Sequence, residues 1–448
     1  MNKFTNWLDK RFEVSRQGSS LTTECRAGIT TFLTMLYILV VNPTILSKAI
    51  AIPGVDLFPE LMTTTAIVIF LGSCLMGILA NYPFAIAPGM GLNAFFAYSV
   101  VLGMGLSWQV ALASVFLGGI LFLLVTTTGL RSLLAHAIPM CLKKASAAGI
   151  GLFLGLLGFI GSGTIVKHDT TLVSLGDLTL AGPLLTGAGL VITVALMVRK
   201  VPGALLLGII AVTVLAMLSG APVFNGQAFN GFESGIMHMP IWPSHLMFAM
   251  DLKGAMNLTV AGVIFSFFFI SLFDAFGSIT ALAERGKFVS ENGQVPRLSK
   301  AFLADAGATT LAGLVGCSAA TPFAESAAGI GEGGKTGLTA IVVGILFLIT
   351  LFFWPIASMI PAVATAPALI IVGAMMVSAC KGIEWENLRE SIPAFLTLLG
   401  IPLTYSIADG VALGVISYVG IHLLAGEGKK IHPILYILSV LLSAMLVL

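Results

Sequence analysis

Charge is what this sequence has least of. Only 9% of its 448 residues are Asp, Glu, Lys or Arg, against roughly a quarter in a soluble domain. A water-soluble globule of this length is excluded. No basic cluster offers a surface for nucleic acid, and the net charge of +2 selects no partner. The five cysteines (25, 74, 141, 317 and 380) sit singly in or beside apolar segments, with no CxxC or Cys/His spacing. They read as small buried residues, and no metal site is expected. The first 26 residues are polar and amphipathic and lack the short apolar core and cleavage site of a signal peptide. No Lys or Arg falls in the apolar part of any long run, and no nucleophile–base pair is visible there. An intramembrane enzyme therefore has nothing to build on.

Apolar sequence is abundant. Hydrophobic residues make up 57% of the chain, and the mean hydropathy is +1.03. A bilayer span needs about 20 apolar residues, so the apolar content provides about fourteen spans. The expected fold is an all-α integral membrane protein. Runs fall at 25–48, 61–80, 84–101, 108–129, 146–164, 181–199, 203–220, 257–282, 301–317, 320–335, 337–360, 363–380, 391–408, 410–425 and 432–447. The last three would make fifteen crossings, so one of them is expected to be broken or partial. Fifty glycines suit close helix packing.

Basic residues set the orientation, because Lys and Arg accumulate in cytoplasmic loops. Lys3 to Arg26, Arg131 to Lys144, Arg199–Lys200, Arg285 to Lys300, Lys335, and Lys381 with Arg389 share one side, while, leaving Lys429 and Lys430 aside, only Lys48, Lys167 and Lys253 take the other. The N-terminus is expected in the cytoplasm, and the polar stretch holding Asn225, Asn230, Glu233, His238 and His245 outside.

Two runs are interrupted. Residues 319–331, Ala-Ala-Thr-Pro-Phe-Ala-Glu-Ser-Ala-Ala-Gly-Ile-Gly, place Pro322 and Glu325 where a span should run, and Pro88-Gly-Met-Gly-Leu-Asn93 interrupts the run at 84–101. The prolines are 234 residues apart (322 − 88), as are Gly28 and Gly262, while Pro139 and Pro361 are 222 apart. Seven spans per half, an odd number, would invert the second half. Inverted repeats with paired broken helices put a substrate site near the midplane, because irregular backbone survives there only beside protein or a wet cavity.

Asp274 lies within Phe267-Phe-Phe-Ile-Ser-Leu-Phe-Asp-Ala-Phe-Gly-Ser, where a mid-span acid costs about 2.5–3.5 kcal/mol on insertion scales. It is either paired with a buried base or helix end, or it faces a ligand. Glu325 would sit in the first turn of a half-helix starting near Ala324. The dipole there favours a carboxylate by about 0.3–1 kcal/mol, so capping and ligand binding both explain it. Either acid is a candidate proton carrier. Gly91 aligns with Glu325 at the same offset and lets backbone approach a ligand. Asn93 offers a donor and an acceptor, for a ligand or for helix packing. Thr34 either bonds its own helix or faces the site. Phe268 is one of many phenylalanines that would stack on a ring.

Other motifs carry less. Gly329, Gly334, Lys335 and Thr336 match GxxxxGK[ST], but no strand–helix unit surrounds them, so they read as a turn rather than a nucleotide site. Asp305 reads as solvated or locally paired at a cytoplasmic helix end, and Asp409 as a helix cap.

Four segments in order, Gly28-Ile-Thr-Thr-Phe-Leu-Thr-Met-Leu-Tyr-Ile, Ala87-Pro-Gly-Met-Gly-Leu-Asn-Ala-Phe-Phe-Ala, Leu272-Phe-Asp-Ala-Phe-Gly-Ser, and Glu325-Ser-Ala-Ala-Gly with Gly333-Gly-Lys-Thr-Gly-Leu-Thr-Ala, resemble the AzgA-like purine permeases. These are nucleobase–cation symporters with the UraA-type fold. The resemblance implies fourteen spans as two inverted repeats of seven, with a short strand and half-helix in spans three and ten. It implies a cytoplasmic segment 1–24, a core domain of 25–129 and 257–360, a gate domain of 130–220 and 361–448, and an extracytoplasmic loop 221–256. The family's acids fall on Asp274 and Glu325, and its asparagine on Asn93. The implied activity is proton-coupled import of adenine, guanine or hypoxanthine across the inner (cytoplasmic) membrane, by elevator or rocking motion of core against gate, with the proton as coupling ion and no other cofactor. Lipid surrounds the chain, and a homodimer is among the expected assemblies. Ala275-Phe-Gly-Ser departs from the small residues that relatives often carry after the span-eight acid. Phe276 is bulkier there and would alter which purine fits. An anion or other small-solute transporter of the same fold is the competing reading, but it would want basic residues near the half-helices, where the sequence has none.

Overall fold

The computed structural model describes residues 3–128, 139–224, 227–229, 231, 235, 237–290 and 295–447. Arg131, Asn225, Asn230, Glu233 and the expected boundary at 129/130 lie outside them. Among the described residues, nine helices are long and apolar enough to cross a membrane, and Met90–Gly103 and Ala204–Ser219 are shorter apolar helices. The chain is a mostly helical multi-pass membrane protein.

Helix ends follow local capping chemistry. Ser20 accepts from Thr23 N–H at 3.2 Å, which starts the first long helix at Leu21 rather than at 25. The amphipathic helix Lys3–Phe12 lies against the body, with Phe12 and Val14 buried beside Leu338. The expected runs at 391–408 and 410–425 become Leu388–Thr404 and Ile407–Leu424. They form an antiparallel pair closed by Arg389 Nη1 to Glu427 Oε1 at 2.8 Å. Pro433–Val447 follows as a further helix packed on Ile407–Leu424. Lys143, read as a loop residue, belongs to the first turn of the helix Met140–Gly161.

Two sets of helices pack most closely among themselves. Trp108–Thr127 packs on Leu298–Val315 and Leu258–Arg285, while Gly337–Thr350 packs on Phe58–Leu75 and Leu21–Met35. Met140–Gly161 packs on Ala362–Val377 and Leu388–Thr404, and Ala181–Val198 on Ala204–Ser219. Glycine permits the tightest crossings. A Cβ on Gly119 would meet Thr310 backbone nitrogen at 2.7 Å, and one on Gly373 would meet Gly151 oxygen at 2.3 Å.

The fold is not purely helical. Strands β1 (Ile86–Pro88), β2 (Ile165–His168), β3 (Leu172–Leu175) and β4 (Ala320–Pro322) form two small sheets. The β2–β3 hairpin was not expected from the sequence. β1 and β4 pair antiparallel with Ile86 opposite Pro322, Ala87 opposite Thr321 and Pro88 opposite Ala320. Ala87 and Thr321 are themselves 234 residues apart, so the two matching strands meet about a local two-fold centred on that pair.

The glycine-rich turn after residue 329 is tied down internally. Buried Glu24 accepts from Lys335 N–H (3.0 Å), Thr336 N–H (3.2 Å) and Thr339 Oγ1 (2.6 Å). Lys335 Nζ donates to the carbonyls of Gln17 and Gly18. The amides a phosphate would need are already taken by a carboxylate.

Candidate functional site at the crossed strands

The β1–β4 pairing explains how two prolines survive in one small sheet. Phe323 N–H donates to Ala85 oxygen (2.9 Å) and Gly89 N–H to Ala319 oxygen (3.0 Å). The bonded pairs are thus 85/323 and 89/319, which leaves Pro88 and Pro322 at positions whose nitrogens the ladder does not use. The surrounding backbone is satisfied by buried serines. Ser326 Oγ accepts from Ala85 N–H (3.0 Å) and Ser73 Oγ from Ile86 N–H (3.1 Å). Irregular backbone survives here because these serines and the opposite strand supply partners that water would otherwise have to give.

Each strand runs into a short helix, Met90–Ala94 after β1 and Ser326–Gly331 after β4. The backbone opens at Ala324, which is exposed, and Glu325, which is half-buried, while Phe323 and Ser326 on either side are buried. Tyr37 donates its phenol to Glu325 Oε1 at 2.7 Å. Thr34 bonds its own helix, to Thr31 oxygen at 2.8 Å, and also reaches the Glu325 carbonyl at 3.5 Å. Both readings of that threonine therefore have a contact behind them.

Asp274 lies on the other side of the crossing. Its Oδ2 is 3.6 Å from where a Cβ on Gly89 would stand, and the same Cβ would be 2.9 Å from Thr321 Cγ2. The acid thus faces the start of the Met90–Ala94 helix and the middle of β4. Thr321 interacts with Asp274, but its hydroxyl forms no well-aligned hydrogen bond. Asn93 is wholly buried. Its Oδ1 accepts from Ser318 Oγ, and its Nδ2 has no protein partner. A buried donor left open in this way costs roughly 1–3 kcal/mol.

Asp274, Glu325, Asn93, Ala324 and Thr34 all surround the two half-helices. Gly91 and Phe268 point elsewhere. A Cβ on Gly91 would lie 2.5 Å from Ile150 Cγ2, so that glycine admits the helix Met140–Gly161. Phe268 is buried, with its ring 6.4 Å from Phe122 and 5.8 Å from Phe265.

Asp305 corrects the sequence-based expectation. It is 0% exposed, neither carboxyl oxygen has a partner, and it is close enough to Asp274 for their charges to interact. One turn along, Thr309 Oγ1 donates to Ala320 oxygen in β4 at 3.0 Å. The small residues Ala304, Ala306, Gly307 and Ala308 around the acid were the available signal: they let neighbours close over it. Tyr37, Ser318 and Thr321 were also not singled out, because single hydroxyls in apolar runs are usually satisfied locally.

Among the described residues, the ion pairs involve Glu13, Glu60, Glu332 and Glu427, and none involves Asp274, Asp305 or Glu325. Lys143 meets the Asp274 helix through the rings of Phe273 (5.9 Å) and Phe276 (5.0 Å). Carboxylates and hydroxyls thus gather around the two short helices that follow the crossed strands.

The chain is similar to known transporters over nearly its whole length. It is 40% identical to the adenine permease AdeP of Escherichia coli, over 97% of this chain and 94% of that protein. It is 41% identical to the guanine/hypoxanthine permease PbuG of Bacillus subtilis, over 95% and 96%. In structure it resembles the transmembrane domain of the cyanobacterial bicarbonate transporter BicA, with a TM-score of 0.63 at 14% identity, covering 88% of this chain and 97% of that one. This is a likeness of fold alone. The Xan_ur_permease family, described as a permease family, matches residues 23–413. By this match and by its relatives the chain belongs to that family, a family of transporters rather than enzymes.

Proposed function

We propose that the protein imports purine nucleobases (adenine, guanine or hypoxanthine) by proton-coupled symport across the cytoplasmic membrane, with its N-terminus inside. The observation that carries the reading is the placement of Asp274 and Glu325 at the two ends of the β1–β4 crossing, with no ion pair to either among the described residues. A neutral purine presents ring N–H groups and ring nitrogens in one plane. A carboxylate accepts from the N–H groups, and the same group when protonated donates to a ring nitrogen. Backbone N–H groups near Ala324 and the open Nδ2 of Asn93 complete the contacts. The names of AdeP and PbuG point to the same substrate class.

In this reading the fourteen segments from Leu21 to Leu424 are two inverted repeats of seven, with the Ile86–Gly103 and Ala320–Gly331 segments as broken crossings. The exchanged packing favours it. Trp108–Thr127 lies on Leu298–Val315, while its repeat partner Gly337–Thr350 lies on Phe58–Leu75. The helices around the crossing are the core, the set around Met140–Gly161 is the gate, and sliding of one past the other alternates access. The bicarbonate-type reading that the fold admits is disfavoured, because an anion would face acids at the site.

The test is uptake into proteoliposomes. An inward proton gradient should drive concentrative uptake of radiolabelled hypoxanthine, adenine or guanine, with uracil and xanthine competing weakly. Asp274→Asn and Glu325→Gln should each abolish the gradient-driven component while the protein still inserts. Normal concentrative uptake by both variants would refute the assignment.

A further inference from the structure

A second polar cleft lies away from the crossed strands. Its volume is about 280 Å³, and its lining includes Tyr98, Ser99, Ser266, Tyr405, Ser406 and Asp409 beside Thr404 and several apolar residues. Ser266 precedes Asp274 by eight residues on the same helix, so this wall of the cleft begins about 12 Å along the axis from the central acid. On the other wall, the helix Met90–Ala94 that carries Asn93 continues directly into the π-helix Phe95–Gly103 that carries Tyr98 and Ser99. One continuous element therefore touches both sites.

Three features mark this cleft as built rather than accidental. The wall at 95–103 is a π-helix, a rare form found frequently at functional positions. Tyr405 holds a left-handed backbone (φ 55°) between Leu388–Thr404 and Ile407–Leu424, a conformation costly for a bulky residue. It is held by Ser99 Oγ, which donates to the Tyr405 carbonyl, and by the edge of Phe153 at 5.5 Å. Asp409 is half-buried in the first turn of Ile407–Leu424, where Ser406 Oγ accepts from its N–H at 3.2 Å. Neither phenol has a hydrogen-bond partner among the described residues, and the two lie within interaction range of each other. The cleft is lined by a carboxylate and hydroxyls and by no cationic side chain.

We propose that this cleft is an outer vestibule that captures the nucleobase before it reaches the Asp274–Glu325 site. Asp409 accepts from a ring N–H, and the Tyr98 and Tyr405 phenols bind the ring edge. The proposal deepens the purine reading and rests on it. The cleft sits toward the end of Leu258–Arg285 opposite the basic residues, and so faces the outside.

The test uses whole cells devoid of their own purine uptake and expressing the full chain. Losing a hydrogen bond to the Asp409 carboxylate should raise KM about tenfold, and losing a neutral one from a phenol about fivefold. Asp409→Asn and Tyr405→Phe should show these rises while the maximal rate stays within about twofold, a split that a general folding defect does not produce. Should Asp409→Asn fail to reach the membrane, Tyr98→Phe and Tyr405→Phe carry the comparison. Independently, Thr404→Cys should react with a membrane-impermeant maleimide added outside, and hypoxanthine should reduce labelling at position 404, read by mass spectrometry. Either an unchanged KM in these variants or labelling indifferent to the base overturns the vestibule while leaving the purine reading intact. A wild-type protein that imports no purine overturns both.

Discussion

Tyr37 donates its phenol to Glu325 across 288 positions of sequence, at 2.7 Å. The tyrosine sits at the joint between the helices Leu21–Met35 and Ile38–Leu46 and is wholly buried. The Ser326–Gly331 half-helix is thereby latched to the first crossing.

Removing that latch tests it. A hydrogen bond to a charged group contributes about 1.5–3 kcal/mol, so Tyr37→Phe should weaken substrate affinity by roughly ten- to a hundredfold. Equilibrium binding of radiolabelled base to the purified protein measures this directly. Affinity within twofold of wild type would mean that the bond does not orient Glu325.

Asp305 should behave as a stability liability. A buried carboxyl with both oxygens open costs about 1–3 kcal/mol, so Asp305→Asn is expected to raise the thermal melting temperature in detergent. A melt shifted downward would reveal a partner for the carboxyl that the fold as described does not contain.

Gly91→Ala should clash with Ile150, since the added Cβ would lie 2.5 Å from its Cγ2. Overpacking of this kind costs about 1–3 kcal/mol. The double variant Gly91→Ala with Ile150→Ala should recover much of the loss, and a melting comparison of the single and double variants reports the coupling. Additive losses would place the glycine's role elsewhere.

Glu24→Gln should loosen the turn at Lys335. The carboxylate takes two amides and a hydroxyl, and a buried network broken on one side costs about 3 kcal/mol or more. Proteolysis at the 329–336 turn should become markedly faster, while purified protein that still folds keeps its base affinity. Unaltered proteolysis would argue that Lys335 Nζ alone holds the turn.

Much of the fold was legible because lipid imposes simple rules. A span in hydrocarbon must be long and apolar, so all fifteen expected runs return as helices or as strand–helix units, and the breaks at Pro88 and Pro322 return as β1 and β4. The boundaries moved where capping rather than hydropathy sets the end, as at Ser20 and at the 405–406 turn. Asp274, Glu325 and Asn93 were legible for the same reason: a polar group at that depth is costly enough to need an explanation. Tyr37, Thr321 and Asp305 were missed because their meaning depends on which distant segment lies opposite.

The sequence by itself determined that this is a membrane protein, where its chain is broken, that Glu325 stands at one break, and that Asp274 lies deep in an unbroken apolar run. Hydropathy and helix-breaking chemistry act locally, so they can be read along the chain. Only the tertiary structure decided that β1 pairs with β4, that Tyr37 reaches Glu325, that Asp305 is sealed beside Asp274, and that Gly91 serves Ile150. Those relations join residues up to about three hundred positions apart, and close packing, which no local pattern records, selects them.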